Sequence, residues 1–84
     1  MNIDSLVGMA NQIGAFFASY PDRQEAEGEI ALHLQRYWAP RMRVQLYAYI
    51  DDEGGTGLAP LVLAAIAAHR RERTPPPPVG GDAG

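Results

Sequence analysis

Residues 33–43 read HLQRYWAPRMR. Pro40 decides how this stretch folds. It has no N–H to donate, its ring clashes with the turn before it, and it pushes the preceding residue into extended backbone. A helix carrying Tyr37 and Trp38 therefore stops or kinks before Pro40, and Arg41 to Arg43 open the next element. No acid lies between Glu29 and Asp51 to neutralise Arg36, Arg41 and Arg43. Trp, Tyr and Arg dominate interface hot spots, so a bend presenting Trp38, Met42 and these arginines is a candidate docking surface. The competing reading makes Trp38 and Met42 core and the arginines a solvated rim. For Trp38 the expectation is a core or half-buried position, because the only Trp of a small domain usually fills its interior.

Helical spacing extends on both sides of this bend. Ile3, Leu6, Val7, Ala10, Ile13, Phe17 and Tyr20 mark a first helix, with Asn2 or Asp4 as its cap and Pro21 as its end. Asp22 caps a second helix, with Glu25 three residues on as in a capping box. Its buried side is Ala26, Ile30, Leu34 and either Tyr37 or Trp38, and Gly28 weakens it by about 1 kcal/mol relative to alanine. A third, shorter helix runs from about Arg41 to Ile50, with Met42, Leu46, Tyr49 and Ile50 apolar. Asp51 to Gly57 reads as a turn, acidic and then glycine-rich. Pro60 suits the first position of a fourth helix, Leu58 is placed to staple onto Leu63, and the helix fades after His69. Arg70, Arg71 and Arg73 suit its C-terminal dipole. The expected fold class is all-α, a small bundle of about four short helices over residues 1–73. Residues 74–84, TPPPPVGGDAG, form a Pro/Gly-rich tail expected to be extended and disordered.

Composition limits what such a bundle does. A chain of 84 residues makes one small domain, which buries only about 60 % of its unfolded surface and is marginal without help. There is no cysteine, hence no disulfide and no thiolate metal site. Two histidines far apart make no convincing zinc site. Help is expected from a partner or from self-association. A net charge of −3 argues against general nucleic-acid binding, which needs a basic surface. No apolar run reaches the roughly 18 residues that span a bilayer, and no basic n-region opens the chain, so a soluble, cytoplasmic protein is expected.

Catalytic signals are weak. Gly54-Gly55-Thr56-Gly57 lacks the lysine and preceding strand of a phosphate loop and reads as a turn. Asp51, Asp52 and Glu53 are adjacent and expected to be exposed, poor ground for acid–base chemistry. His33 is expected on a helix surface or half-buried, and His69 at a helix C-terminus.

Missing charges are the second clue. None occurs from Ser5 to Pro21, and none from Gly54 to His69 with histidine neutral. A helix of a small monomer normally shows water a charged face. The outer face of helix one instead carries Gly8, Asn11, Gln12, Ala15, Ala18 and Ser19, and Leu61 to Ala68 is apolar all round. Either another protein covers part of this surface, or the fourth helix is simply central and surface alanines are harmless.

Met9-Ala10-Asn11-Gln12-Ile13-Gly14 with Phe16-Phe17, then His33-Leu34 and Trp38-Ala39-Pro40-Arg41-Met42-Arg43, then Leu58-Ala59-Pro60-Leu61-Val62, resembles the delta subunit of NAD-dependent formate dehydrogenases with a molybdenum or tungsten cofactor. The resemblance covers roughly residues 1–70. One departure is Ala59, where serine is expected before the Pro-Leu pair; losing that cap costs about 1 kcal/mol.

The resemblance implies a non-catalytic accessory subunit. The alpha subunit of such complexes holds the molybdopterin cofactor and iron–sulfur clusters, the beta subunit FMN and the NAD site, and the gamma subunit a further cluster. The delta subunit brings no redox centre. The expected task is to bind and stabilise the catalytic alpha subunit, through Gly8, Asn11, Gln12 and Ala15 of helix one together with Trp38, Arg41, Met42 and Arg43. A stronger version has the subunit aid cofactor insertion, with Arg41 and Arg43 meeting phosphate groups. The alternative is a free-standing helical regulatory or nucleic-acid-binding module, argued from Arg36, Arg41 and Arg43. Against it stand the acidic balance and the lack of a recognition helix.

Overall fold

The computed structural model describes residues 2–73, with side chains as far as Arg70. Among these residues there are four helices and no strand: α1 (Ile3–Phe17), α2 (Arg23–Tyr37), α3 (Pro40–Glu53) and α4 (Pro60–Arg73). The all-α bundle expected from the spacing is the fold observed. The expectations for the tail from Thr74, and for the Arg71 and Arg73 side chains, lie outside the described residues.

Each helix start follows from its local chemistry. Asn2 is the cap of α1, its Oδ1 accepting the Asp4 amide at 2.7 Å. The Asp22 carboxylate accepts the Gln24 amide at 2.9 Å and caps α2. No reciprocal Glu25 bond closes a capping box among the described residues; Glu27 instead pairs with Arg23 one turn away, at 3.1 Å. Pro40 occupies the first turn of α3 and Ala39 is its extended N-cap, as the pre-proline restriction requires.

Three helix ends differ from expectation. α1 stops at Phe17, before Pro21, and a turn through Ala18 and Ser19 leads to α2. Tyr20 lies beyond that end yet still packs edge-on against Phe17, 5.2 Å between centroids. α3 continues to Glu53, so Asp51–Glu53 form its last turn and not a loop. Gly54 then ends it in the left-handed region at φ 75°, a conformation that suits glycine. α4 continues past His69 to Arg73. His69 is therefore interior to the helix, with its ring against Gly28 of α2.

α1 touches each of the other three helices, and α2 and α4 share the most extensive contact. The core is Leu6, Ala10 and Phe17 of α1, Ala26, Ile30 and Leu34 of α2, Trp38, Leu46 of α3, Leu58, and Val62, Ala65 and Ile66 of α4. At Gly14, α1 packs directly against Val62 of α4. A Cβ built there would lie 2.6 Å from Val62 Cγ2, so only glycine fits without movement. The chain itself covers most of α4. Val62, Ala65 and Ile66 are buried, Leu61, Leu63 and Ala64 half-buried, and only Ala67 and Ala68 of the apolar run lie exposed. Burial within the chain therefore accounts for most of the uncharged run of α4, whereas the uncharged Gly8, Gln12 and Ala15 of α1 lie exposed.

Candidate docking surface

The bend at 38–40 is held by Arg43. Its Nη1 donates to the carbonyl oxygens of Leu34 (3.1 Å), Gln35 (3.0 Å) and Trp38 (2.8 Å). These carbonyls belong to the C-terminal end of α2, which carries partial negative charge; that of Leu34 also accepts the Trp38 amide at 3.1 Å. A guanidinium from the next helix supplies both the donors and the opposite charge. The sequence reading placed Arg41 and Arg43 side by side as a docking pair; the structure separates them. Arg43 caps α2, while Arg41 is exposed and has no ion pair among the described residues.

Trp38 is only 6 % exposed, the core placement expected for it, and Met42 packs half-buried against the core. Both support the surface from beneath. Asn11 also turns inward to the chain. Its Nδ2 donates to the Gly57 carbonyl at 2.9 Å and its Oδ1 accepts the Ala59 amide at 2.8 Å. The residue ties α1 to the loop that opens α4. Ala59 has no hydroxyl to accept the first amides of α4, and its own amide donates to Asn11 of α1. Gly8, Gln12 and Ala15 remain fully on the outside, and a Cβ at Gly8 would meet nothing within 4 Å.

Sequence reasoning missed a groove beside that outer face. Met9, Gln12, Ile13, Phe16 and Phe17 of α1, His33 of α2 and Trp38 enclose about 430 Å³. Gln12 and His33 are its only lining residues with polar side-chain groups besides the Trp38 indole. Phe16, on its lip, is 68 % exposed. The Phe16 ring stands edge-on to Phe17 at 4.9 Å, and Phe17 faces His33 at 6.4 Å. His33 in turn packs on Tyr37 at 4.8 Å. Tyr37 is exposed to the same 68 %. The signal was available as the Phe16-Phe17 pair: one α1 stripe cannot bury both, since adjacent residues point about 100° apart on a helix.

The surface therefore has an uncharged wall on α1 and an apolar groove floored by Phe17, His33 and Trp38. Exposed aromatic groups around an apolar depression are the features that protein-docking surfaces share. Among the described residues no group of three or more His, Asp or Glu stands close enough to hold a metal ion, and no helix is long and apolar enough to cross a membrane.

No curated protein and no solved structure matches the chain significantly. A family profile does. The one described as NADH-dependent formate dehydrogenase delta subunit, FdsD, matches residues 5–66. That span takes in most of α1, all of α2 and α3, and the buried half of α4, including both walls of the groove and the Arg43 bend. The resemblance in the sequence, the four-helix architecture and the profile agree: the chain belongs to the NADH-dependent formate dehydrogenase delta subunit family.

Proposed function

We propose that this chain is a non-catalytic accessory subunit, cytoplasmic, that binds the catalytic alpha subunit of its formate dehydrogenase. By that binding it stabilises the assembled, cofactor-loaded complex. The observation that carries this reading is the pairing of an apolar groove with a charge-free helix face on one side of the bundle. Beyond Asp4 in its first turn, α1 exposes Ser5, Gly8, Gln12, Ala15 and Phe16, and none of these is charged. A partner that covers this face in the folded state, and does not bind unfolded chain, stabilises both partners by mass action.

The redox groups sit elsewhere in this reading: molybdopterin and iron–sulfur clusters in alpha, FMN and the NAD site in beta, a further cluster in gamma. No cysteine is available here to ligate an iron–sulfur cluster.

The test is to produce the complex with and without this chain, and to measure subunit content, metal content and thermal half-life. The stabiliser reading predicts that without it the metal-loaded alpha subunit dissociates or inactivates faster. Assembly that is intact yet poor in metal would transfer the role to cofactor insertion. An unchanged complex in all three readouts contradicts both.

A further inference from the structure

The outer face of α1 has a pattern that fits itself. Gln12 stands at its middle and is exposed. Along the helix on either side lie Gly8 with Met9, and Ala15 with Phe16. At about 100° per residue, Met9 and Phe16 fall on one flank of the face, and Gly8 and Ala15 on the other. The Met9 and Phe16 flank is the one that lines the groove. A two-fold axis crossing the helix at Gln12 reverses direction along it and keeps each flank on its own side. Phe16 of one copy then lies over Met9 of the other, and Gly8 of one against Ala15 of the other. Phe16 is 68 % exposed, and Gly8 has open space where a Cβ would stand. The protruding ring meets the wall of the other copy's groove, and the small residues let the two backbones come close.

We propose that the free chain pairs with a second copy of itself through α1, antiparallel, with Gln12 facing Gln12 on the two-fold axis. Identical faces repel wherever like charges meet, and from Ser5 to Pro21 there are none. The antiparallel arrangement also carries the two Asp4 carboxylates to opposite ends, about 24 Å apart along the axis. A parallel pair would set them level and align the helix dipoles side by side. An isologous contact uses each residue twice, so Phe16 covers Met9 at two places. α1 has 15 residues and is about 22 Å long. One such helix pair buries less than the roughly 800 Å² per partner of stable complexes. The pair is therefore transient, with a dissociation constant on the order of 100 μM, and comes apart on dilution. Pairing needs no other subunit. It covers the face that the alpha subunit takes in the reading above, so the two occupants exclude each other and the larger one displaces the second copy.

The chain has no cysteine, so single cysteines report the geometry without background. The experiment oxidises Gln12→Cys and Ser5→Cys separately at several hundred micromolar and reads disulfide-linked dimer on a non-reducing gel. Sedimentation velocity over a dilution series follows the native chain, Phe16→Ala and Gly8→Arg. These five forms differ only at exposed positions, and circular dichroism confirms that each is helical. Gln12→Cys is expected to link at least tenfold faster than Ser5→Cys, because the two Ser5 positions lie about 21 Å apart along the axis, beyond disulfide reach. The native chain is expected to sediment as a concentration-dependent dimer. Phe16→Ala is expected to raise the dissociation constant about tenfold or more, and Gly8→Arg to leave only monomer.

A native chain that stays monomeric throughout the series overturns the proposal. Ser5→Cys linking as fast as Gln12→Cys overturns the antiparallel register, since only a parallel pair or random collision sets those positions together. Dimerisation that Phe16→Ala and Gly8→Arg leave unchanged places the contact on another face and overturns it as well. Each of these results leaves the alpha-subunit reading standing, because the alpha subunit is absent from every measurement.

Discussion

Asn11 in the middle of α1 accepts the amide of Ala59, the residue before Pro60, at 2.8 Å, and donates to the carbonyl of Gly57. One side chain thus satisfies two backbone groups of the loop that opens α4, forty-six and forty-eight residues away. Removing it leaves the Ala59 amide unpaired in a partly buried position, while the exposed Gly57 carbonyl turns to water. Asn11→Ala is therefore expected to cost about 1–3 kcal/mol. For a domain of this size each kcal/mol lowers the melting temperature by about 4–8 °C. Ala59→Ser is expected to add about 1 kcal/mol, because a hydroxyl there reaches the free amides of the first turn of α4. Thermal unfolding of the two variants checks both signs.

Arg43 and Arg41 have different jobs despite standing two residues apart. Arg43→Met removes three charge-assisted contacts to the end of α2 and is expected to destabilise the chain by about 2 kcal/mol. Arg43→Lys recovers only part, since an ammonium on a flexible stem lacks the guanidinium's fixed fork. Arg41→Met is expected to stay within about 0.5 kcal/mol of the native chain. Urea denaturation distinguishes them. Equal losses at the two positions would contradict the capping role.

Two glycines of α1 predict opposite outcomes. Gly14→Ala drives a methyl group into Val62 and is expected to cost about 1–3 kcal/mol. Gly8→Ala adds a methyl group in open space within a helix and is expected to gain about 0.5–1 kcal/mol. Gly8→Arg adds bulk and charge to the outer face. It is expected to leave the isolated chain folded and to weaken binding of the alpha subunit, read by calorimetry.

Acid sensitivity has one traceable source. The Arg70 guanidinium donates to both oxygens of Asp51 at 2.9 Å and also lies 4.7 Å above the Tyr47 ring. The hydrogen bonds, aided by the charge attraction, hold the Asp51 carboxyl below its ordinary value. A depressed carboxylate contributes stability above its unfolded pKa of about 3.9, and loses it as pH falls through the lower folded value. Asp51→Asn is thus expected to flatten the fall in melting temperature below about pH 4 and to leave its slope near neutrality unchanged. Because the pair is exposed, the effect is small and fades with salt.

Much of the fold was legible because its signals are local. Pro40 and Pro60 each mark a helix start by stereochemistry alone, Asn2 and Asp22 cap as their side chains dictate, and Ala26, Ile30 and Leu34 repeat at helical spacing. The ends were less legible. Asp51–Glu53 look like a loop because acids are unfavourable at a helix C-terminus. In the structure Asp51 pairs with Arg70, nineteen residues away, and α3 runs on to the left-handed Gly54. The surface was legible only in part. The charge-free face of α1 is visible as composition. Asn11 and Arg43 looked free because their acceptors and donors are backbone groups, which no side-chain pattern displays. The groove arises where Phe16 and Phe17 of α1 converge with His33 of α2 and Trp38, and that convergence is a tertiary fact.

The central claim is that the partner covers α1 and the groove beside it. Hydroxyl-radical labelling of the chain, free and within the assembled complex, reads this face by face. Docking as described protects Met9, Phe16 and Tyr37 strongly in the complex, while Tyr49 and exposed Val44 of α3 stay as reactive as in the free chain. Protection of Val44 and Tyr49 with Met9 and Phe16 unchanged would place the partner on another side of the bundle and contradict the account.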